Sequence, residues 1–578
     1  MAYRLSRRSE RLAGVSTTTT RRHAALAGVT AAAVAIGSAE PVAALTGPRA
    51  APLVAVGGLV VDTVPEPLKR VGIAVFGRYD KIALLVGTAL LLAGFAALLG
   101  VVSRRRLTYG LAGVAAFTAL GVGAALTRAG ADAADALPAL AGGALGALVL
   151  WAFIAGPLEL DPWPWSPPTP PAVTPPAPAV PGTTGFAAPG VPPVPPERPV
   201  PSGRPERLGV AAHGDTEETV PPDPESRRRF LAATGLLLGA AGVAGVGGRW
   251  LASRRGVSVA RGAVALPSPA SPAPAVPAGA DLGVAQLASF VTPNADFYRI
   301  DTALVVPQVD PATWRLRIHG RVRNPITLTF DDLLARPMVE RYVTLACVSN
   351  EVGGDLIGTA SWLGVPLREL LDEADPEEGA DQVVGRSVDG WTCGTPTAVL
   401  RDGRDALLAV GMNGEPLPVE HGFPARMVVP GLYGYVSACK WVSELELTSF
   451  ADFDAYWVPR GWSAQGPVKT QSRIDTPRPR NRLTVGAVVV AGVAWAQHRG
   501  IRRVEVRVDE GPWRTAELAP TVSVDTWVQW SWRWEATVGE HKLEVRATDS
   551  TGETQTARRS SVAPDGATGW HTVRVTVV

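Results

Sequence analysis

Cysteine is scarce in this chain: only Cys347, Cys393 and Cys439 occur in 578 residues. Three thiols cannot build a disulfide framework, and no CxxC or CxxCH is present, so no c-type haem attachment is visible. A single bridge, Cys393 to Cys439, is the most that pairing allows. An excess of one charge is also missing. The formal net charge is +2, which gives no electrostatic footprint for nucleic acid. Tryptophan is nearly absent from the first 280 residues: of 17, only Trp151, Trp163, Trp165 and Trp250 lie there. That region is rich in Ala, Gly, Leu and Val, then in Pro, so soluble chemistry is expected after it.

Long apolar runs are abundant. Ile82–Val102, Leu107–Thr127 and Leu137–Gly156 are each close to the ~20 residues a spanning helix needs. His23–Ile36, extending towards Leu45, follows a basic leader and reads as a first helix rather than a cleaved signal peptide. Residues 51–78 carry Pro65, Pro67, Lys69 and Arg70 and read as interfacial. The stretch Asp161–Pro224 is Pro-rich and reads as an extended linker. At Ser226 begins SRRRFLAATGLLLGAAGVAGVGG, whose order S-R-R-x-F-L is that of a twin-arginine export signal, here inside the chain. Its rival reading is a last helix with stop-transfer arginines. With the N-terminus inside, five spans leave Arg104–Arg106 and Arg227–Arg229 inside and deliver the C-terminal half outside. The expected location is therefore the cell (cytoplasmic) membrane, multi-pass, with an extracytoplasmic catalytic domain. The spans hold no histidine beyond His23, which excludes bis-histidine haem in them, and their apolar cores lack acidic residues for a proton path. Electrons are expected to leave through a separate electron-transfer partner.

Past residue 280 the pattern becomes mixed α/β. WRLRIHGRV alternates like a half-buried strand, LTFDDLLARP reads as strand end, cap and short helix, and YVTLACV is an apolar strand ending at Cys347. LGVPLRELLDEA reads as an amphipathic helix and RMVVPG as a buried strand. From about Leu483 the signal is β only: VEVRV, HKLEVRA and HTVRVTV alternate with period two between turn clusters, as in a small immunoglobulin-like sandwich. The expected organisation is 1–156 membrane helices, 157–225 linker, 226–250 signal-like last helix, 251–284 linker, 285–480 α+β domain and 481–578 β-sandwich.

At YVTLACVSNEVGG, and again at MNGEPLPVEHGFPARMVVPGLYGYVSACKW, the chain resembles the sulfite oxidase family of molybdenum enzymes. The resemblance runs from about Val291 to Val578, with separated motifs in the family's order. It implies a molybdopterin-binding α+β fold, then an immunoglobulin-like domain of the dimerisation type, and hence a homodimer. It also implies molybdenum with molybdopterin (Mo-molybdopterin) as cofactor and a small-molecule substrate.

Position by position, Cys347 matches the cysteine ligand to molybdenum, a soft thiolate suited to such a metal. His421 and Arg426 match HGFPxR, which binds the pterin and its phosphate, and GYVSACKW resembles the phosphate-binding turn, with Ser437, Ala438 and Lys440. PNADFYR places Asn294 and Tyr298 along the pterin and Arg299 where sulfite-oxidising members face the substrate anion. Its bland alternative is a surface ion pair with Asp301. In GRSVDGWTCGTPT, Ser387 and Asp389 fall at a further cofactor contact, and Asn350 lies near Cys347. Arg460 and Lys469 add positive charge in the same region. One departure stands out: the tyrosine that sulfite-oxidising members carry in the segment corresponding to WTCGT is replaced, with Cys393 or its neighbours in its place.

The reaction so implied is oxygen-atom transfer to or from a small sulfur compound, either sulfite-type oxidation or sulfoxide reduction of the methionine sulfoxide type. The rival from another class is a cofactor-free binding module tethered to the membrane, which would have no use for the Cys347, His421, Arg426, Lys440 set. A transporter with an exported sensor domain is a further rival that the apolar, nearly charge-free helices disfavour.

Overall fold

The computed structural model describes residues 21–64, 80–128, 131–159, 223–254 and 257–578. The basic leader before residue 21, most of the Pro-rich linker and part of the expected interfacial segment lie outside the described residues.

Among the described residues five helices are long and apolar enough to cross a membrane: Arg21–Thr46, Ala83–Ser103, Leu107–Leu126, Ala133–Ile154 and Pro224–Leu251. The first runs the full extension expected for it and takes in Glu40, which is 9% exposed and lies 3.5 Å from Arg249 of the last helix. The expectation that these segments lack acidic residues is thereby corrected; pairing with a cation is what lets a carboxylate join such a helix. Arg227–Arg229 fall within the first turns of the last helix, not ahead of it.

The chain divides into two compact units, 1–34 with 92–115 and 145–240, and 35–91 with 116–144 and 241–578. In the first, helices meet through small residues. A Cβ on Gly28 would come 2.0 Å from the Ala96 carbonyl oxygen, and one on Gly100 equally close to that of Ala24. Only glycine permits so close an approach of two backbones. Leu150, Phe153 and Phe230 pack with Ala24, Ala27 and Ala31 in the same unit.

The second unit carries the C-terminal sheets. Strands β1 (Arg315–Gly320), β2 (Ile326–Thr329), β3 (Val339–Ala346), β4 (Ile357–Pro366), β5 (Gln382–Ser387), β6 (Thr392–Pro396), β7 (Leu407–Met412), β8 (Glu415–Pro416), β9 (Arg426–Val428) and β10 (Val442–Thr448) form two sheets. Their orders are β2-β1-β10-β5-β6 and β3-β4-β7-β8, with β9 paired to β7. Thr329 and Asp332 cap helix Phe330–Leu334 reciprocally, as the sequence LTFDDLL foretells. LGVPLRELLDEA divides differently from its reading as one helix: β4 runs on to Pro366, and only Leu367–Ala374 is helical, because Pro366 fits an extended N-cap.

Beyond them lie β11 (Gln471–Thr476), β12 (Arg482–Leu483), β13 (Gly486–Trp495), β14 (Ile501–Val508), β15 (Arg514–Thr515), β16 (Glu517–Leu518), β17 (Val528–Ala536), β18 (Gly539–Asp549) and β19 (His571–Val577). They make two further sheets, β11-β13-β17-β16 and β12-β19-β18-β14-β15. Val490, Trp530, Val504, Leu543 and Val573, drawn from both, share one core, each such side chain contributing ~1.5–3 kcal/mol by leaving water.

Candidate functional site

β3 is wholly buried from Val343 onward and delivers Cys347 to the wall of a cavity of about 520 Å³. The loop after it is closed on itself. Cys347 N–H donates to the Leu356 carbonyl at 2.9 Å, and Leu356 N–H donates to the Asn350 side-chain oxygen at 3.0 Å. Asn350 therefore shapes the loop. The sandwich grips the same loop: Arg473 Nη1 donates to the Gly354 carbonyl at 2.7 Å, and the His571 ring lies where a Cβ on Gly353 would stand, 2.2 Å from it. The His571 Nδ1 accepts from Ile474 N–H at 2.9 Å.

Of the residues expected in the site, Tyr298, Cys347, Ser387, Asp389, His421, Arg426, Ala438 and Lys440 line this cavity. Gly422, at φ 113°, lets two of them approach: a Cβ there would meet both the Arg426 and the Lys440 Cβ at 3.1 Å. The His421 Nε2 faces the Asn294 carbonyl at 3.2 Å, an acceptor only, so that nitrogen carries the proton. Burial and the neighbouring Arg426 charge pull His421 down to about 4, leaving it neutral near pH 7.

Arg426 is 5% exposed. It donates to the carbonyls of His421, at 3.1 Å, and Met427, and rests over the Trp362 ring. Among the described residues no carboxylate pairs with it, and burial lowers it to about 10, still protonated at neutral pH. Lys440, lowered to about 8 by burial, is held by the Asp301 carboxylate at 2.7 Å. Burial raises the Cys347 thiol, with Ser349 N–H at 3.4 Å opposing, so the metal-free thiol is protonated. Burial and then Cys347 raise the Tyr298 hydroxyl.

Other expectations are corrected. Arg299 does not line the cavity: its Nε pairs with Asp301 at 2.8 Å and its side chain is 37% exposed. Asp301, which itself lines the cavity and also holds Lys440, takes up its guanidinium. The Asn294 side chain is likewise elsewhere, bonded to the Met412 carbonyl, Glu415 and Asn413. Ser437 is fully buried and its hydroxyl donates to Tyr433 and Leu432 carbonyls. Ala438 N–H is taken by the Gly434 carbonyl at 2.9 Å, so the main-chain phosphate cradle expected there is not open at Ala438. Cys393 sits fully buried in β6 rather than in the cavity wall. Cys439 is equally buried, and both are free thiols. Lys469 pairs with Asp565 at 2.8 Å.

Six aromatic walls were not among the expected residues, Phe297, Trp391, Tyr435, Trp441, Trp457 and Trp462, nor were Ser561, Val562 and Ala563 from the C-terminal region. Trp391, two residues before Cys393, occupies the cavity side of the WTCGT segment. An aromatic-rich run such as YWVPRGW was the available signal for the first group. No local signal marks the second.

The donor set fits a metal carried on an anionic organic ligand. Among the described residues no cluster of three or more His, Cys, Asp or Glu stands ready to hold a bare ion. A metal at Cys347 must therefore bring its other ligands. The unpaired, buried Arg426 offers a planar fork that a phosphate satisfies.

A family model described as "Oxidoreductase molybdopterin binding domain" matches residues 303–457. The chain is 31% identical over 346 residues to mitochondrial sulfite oxidase of Rattus norvegicus, covering 50% of this chain and 62% of that protein. It is 30% identical to sulfite oxidase of Gallus gallus, covering 49% of this chain and 72% of that one. A Bacillus subtilis protein named uncharacterized oxidoreductase YuiH is 34% identical, over 27% of this chain and 76% of its own length. Among solved structures, sulfane dehydrogenase SoxCD from Paracoccus pantotrophus aligns with a TM-score of 0.45 at 26% identity, over 50% of this chain and 82% of that one. The chain thus spans less than two thirds of the rat enzyme while covering most of the chicken one. With a cofactor-ready thiol and an unpaired guanidinium on one cavity, and these relatives across the same residues, the chain belongs to the sulfite oxidase family of molybdopterin oxidoreductases, whose cofactor is Mo-molybdopterin.

Proposed function

We propose that the protein is a membrane-tethered oxidoreductase transferring an oxygen atom to a small sulfur oxyanion, in the sulfite-oxidising sense, at the outer face of the cell membrane. The observation that carries this is the meeting of the buried Cys347 thiol and the buried, carboxylate-free Arg426 on one cavity, with Tyr298 between their influences. Cys347 would hold the metal as a thiolate once its proton is displaced, which burial makes favourable only with a cation at the sulfur. Arg426 and Lys440 would hold the phosphate. Neutral His421 would donate to carbonyl oxygen rather than add charge. When bound, the cofactor supplies the two-electron redox chemistry. The aromatic wall excludes water from the reacting centre.

Five candidate spans among the described residues, an odd number, support placing the catalytic part opposite the basic N-terminus. The twin-arginine-like Arg227 and Arg228 support export in the folded, cofactor-loaded state. The two-sheet C-terminal region supports an immunoglobulin-like, dimer-forming role. Electrons leave to a separate partner. The sulfoxide-reducing sense is the second reading. It is favoured by the pairing of Arg299 with Asp301 and by four tryptophans on the cavity, which suit a neutral thioether-like substrate.

Metal analysis and a substrate screen test both. Purified full-length protein from a molybdenum-proficient host should contain about one molybdenum per chain and reduce an artificial acceptor with sulfite. Turnover only of sulfoxides with a reduced dye reverses the direction, and absence of molybdenum removes the enzyme reading altogether.

A further inference from the structure

A second cavity of about 300 Å³ adjoins the first, and Thr302, Asp389, Trp391 and Arg460 line both. Its far wall comes from another part of the chain. Arg49, Val54 and Gly58 belong to the segment after the first candidate span, and Arg128 follows the third. This segment is fixed in place. Arg49 Nη1 donates to the Val388 carbonyl at 2.7 Å, one residue from Asp389, and Val54 packs with Leu304 and Val305.

The charge balance is uneven. Arg49 and Arg460 have no carboxylate partner among the described residues; Arg460 lies 3.7 Å over the Tyr456 ring and donates to that residue's carbonyl. Arg128 donates to the Ala55 carbonyl at 3.1 Å and also faces the cavity. Among the described residues Asp389 is the carboxylate in this wall, and its Oδ1 already accepts from Trp391 N–H at 3.2 Å. Two guanidinium forks lining a confined space match a tetrahedral oxyanion and raise its local concentration.

We propose that Arg49 and Arg460 form an oxyanion subsite through which substrate reaches the cofactor cavity, so that the segment between the first two candidate spans takes part in substrate capture. This rests on the reading of the substrate as a small sulfur oxyanion. The same chemistry also fits an anionic lipid headgroup, and the two sources are separable.

The test uses full-length, molybdenum-loaded protein and sulfate as the probe, followed by calorimetry. Sulfate should bind the wild type, and Arg49→Ala should weaken it roughly tenfold, the loss expected for one charge-assisted donor group. Arg49→Gln keeps a donor for the Val388 carbonyl without the charge and should weaken it similarly, while Arg49→Lys should restore part of the affinity. Wild-type molybdenum content in each variant shows that the fold is intact. No sulfate binding by the wild type, or unchanged binding in Arg49→Gln, overturns the subsite. In nanodiscs, equal sulfate affinity with phosphatidylcholine and with phosphatidylglycerol supports capture of a free anion. Sulfate binding abolished by phosphatidylglycerol assigns the site to a headgroup and overturns the substrate route. Sulfite turnover is measured separately, so an Arg49-dependent sulfate site in a protein inert to sulfite leaves the subsite standing and removes only the functional reading beneath it.

Discussion

His571 ties the sandwich to the Cys347 loop, and it should make the protein acid-sensitive. Its Nδ1 accepts from Ile474 N–H, so protonation removes an acceptor at the point where the ring meets Gly353. Burial and then Arg473 lower it to about 4, with Asp475 opposing and Arg559 adding to the fall. Between pH 6.5 and about 4 the unfolded chain therefore binds more protons than the folded one at this site. The folded state has its full advantage above pH 6.5 and loses it as the pH falls, by ~3 kcal/mol at the low end of the window. His421 is displaced in the same direction to about 4 and should contribute a similar share. Thirteen of the 17 tryptophans lie after residue 281, so intrinsic fluorescence reports melting of this region in the full chain. His571→Gln retains an acceptor for Ile474 that does not titrate. Its melting temperature should fall about half as far as the wild type's between pH 7 and pH 4.5. An equal fall in both proteins, or a wild type that gains stability on acidification, would refute the reasoning.

Asp301→Asn should destabilise the protein by about 3–5 kcal/mol, because it leaves Lys440 buried without its anion, as denaturant titration will show. Cys347→Ser should abolish turnover while leaving the melting temperature of the cofactor-free protein within a few degrees of wild type; activity retained in that variant would remove thiolate ligation. Replacing Arg227 and Arg228 together by Lys should leave the protein on the inner side of the membrane, with surface proteolysis as the readout and normal delivery as the contrary result.

The sequence made the strands legible where alternation was strong, as in VEVRV and HTVRVTV, and the cavity legible where motif spacing was tight, as in His421 to Arg426. It failed where direction rather than position mattered. Tyr298 and Arg299 are neighbours, yet only Tyr298 lines the cavity, because the Arg299 guanidinium is taken up by Asp301 and is partly exposed. Ser437 and Ala438 stand at the expected place, but a single helical turn takes up the Ala438 N–H. The first helix reaches Thr46, as the expected extension towards Leu45 allowed, but the pairing of Glu40 with Arg249 could not be read locally. Ser561–Ala563 were unreadable for a different reason: their place on the cavity depends on a contact across most of the C-terminal half.

That last contact sets an order of events. The chamber around Cys347 lacks part of its wall until residues 561–563 have been synthesised and the strands flanking them have closed. A ribosome releases Cys347 long before that point, and domains assemble as units once their sequence is complete. Loading with a large cofactor is therefore a late event in the life of the chain, and truncation within the sandwich should empty the site even though it removes none of the groups that bind there.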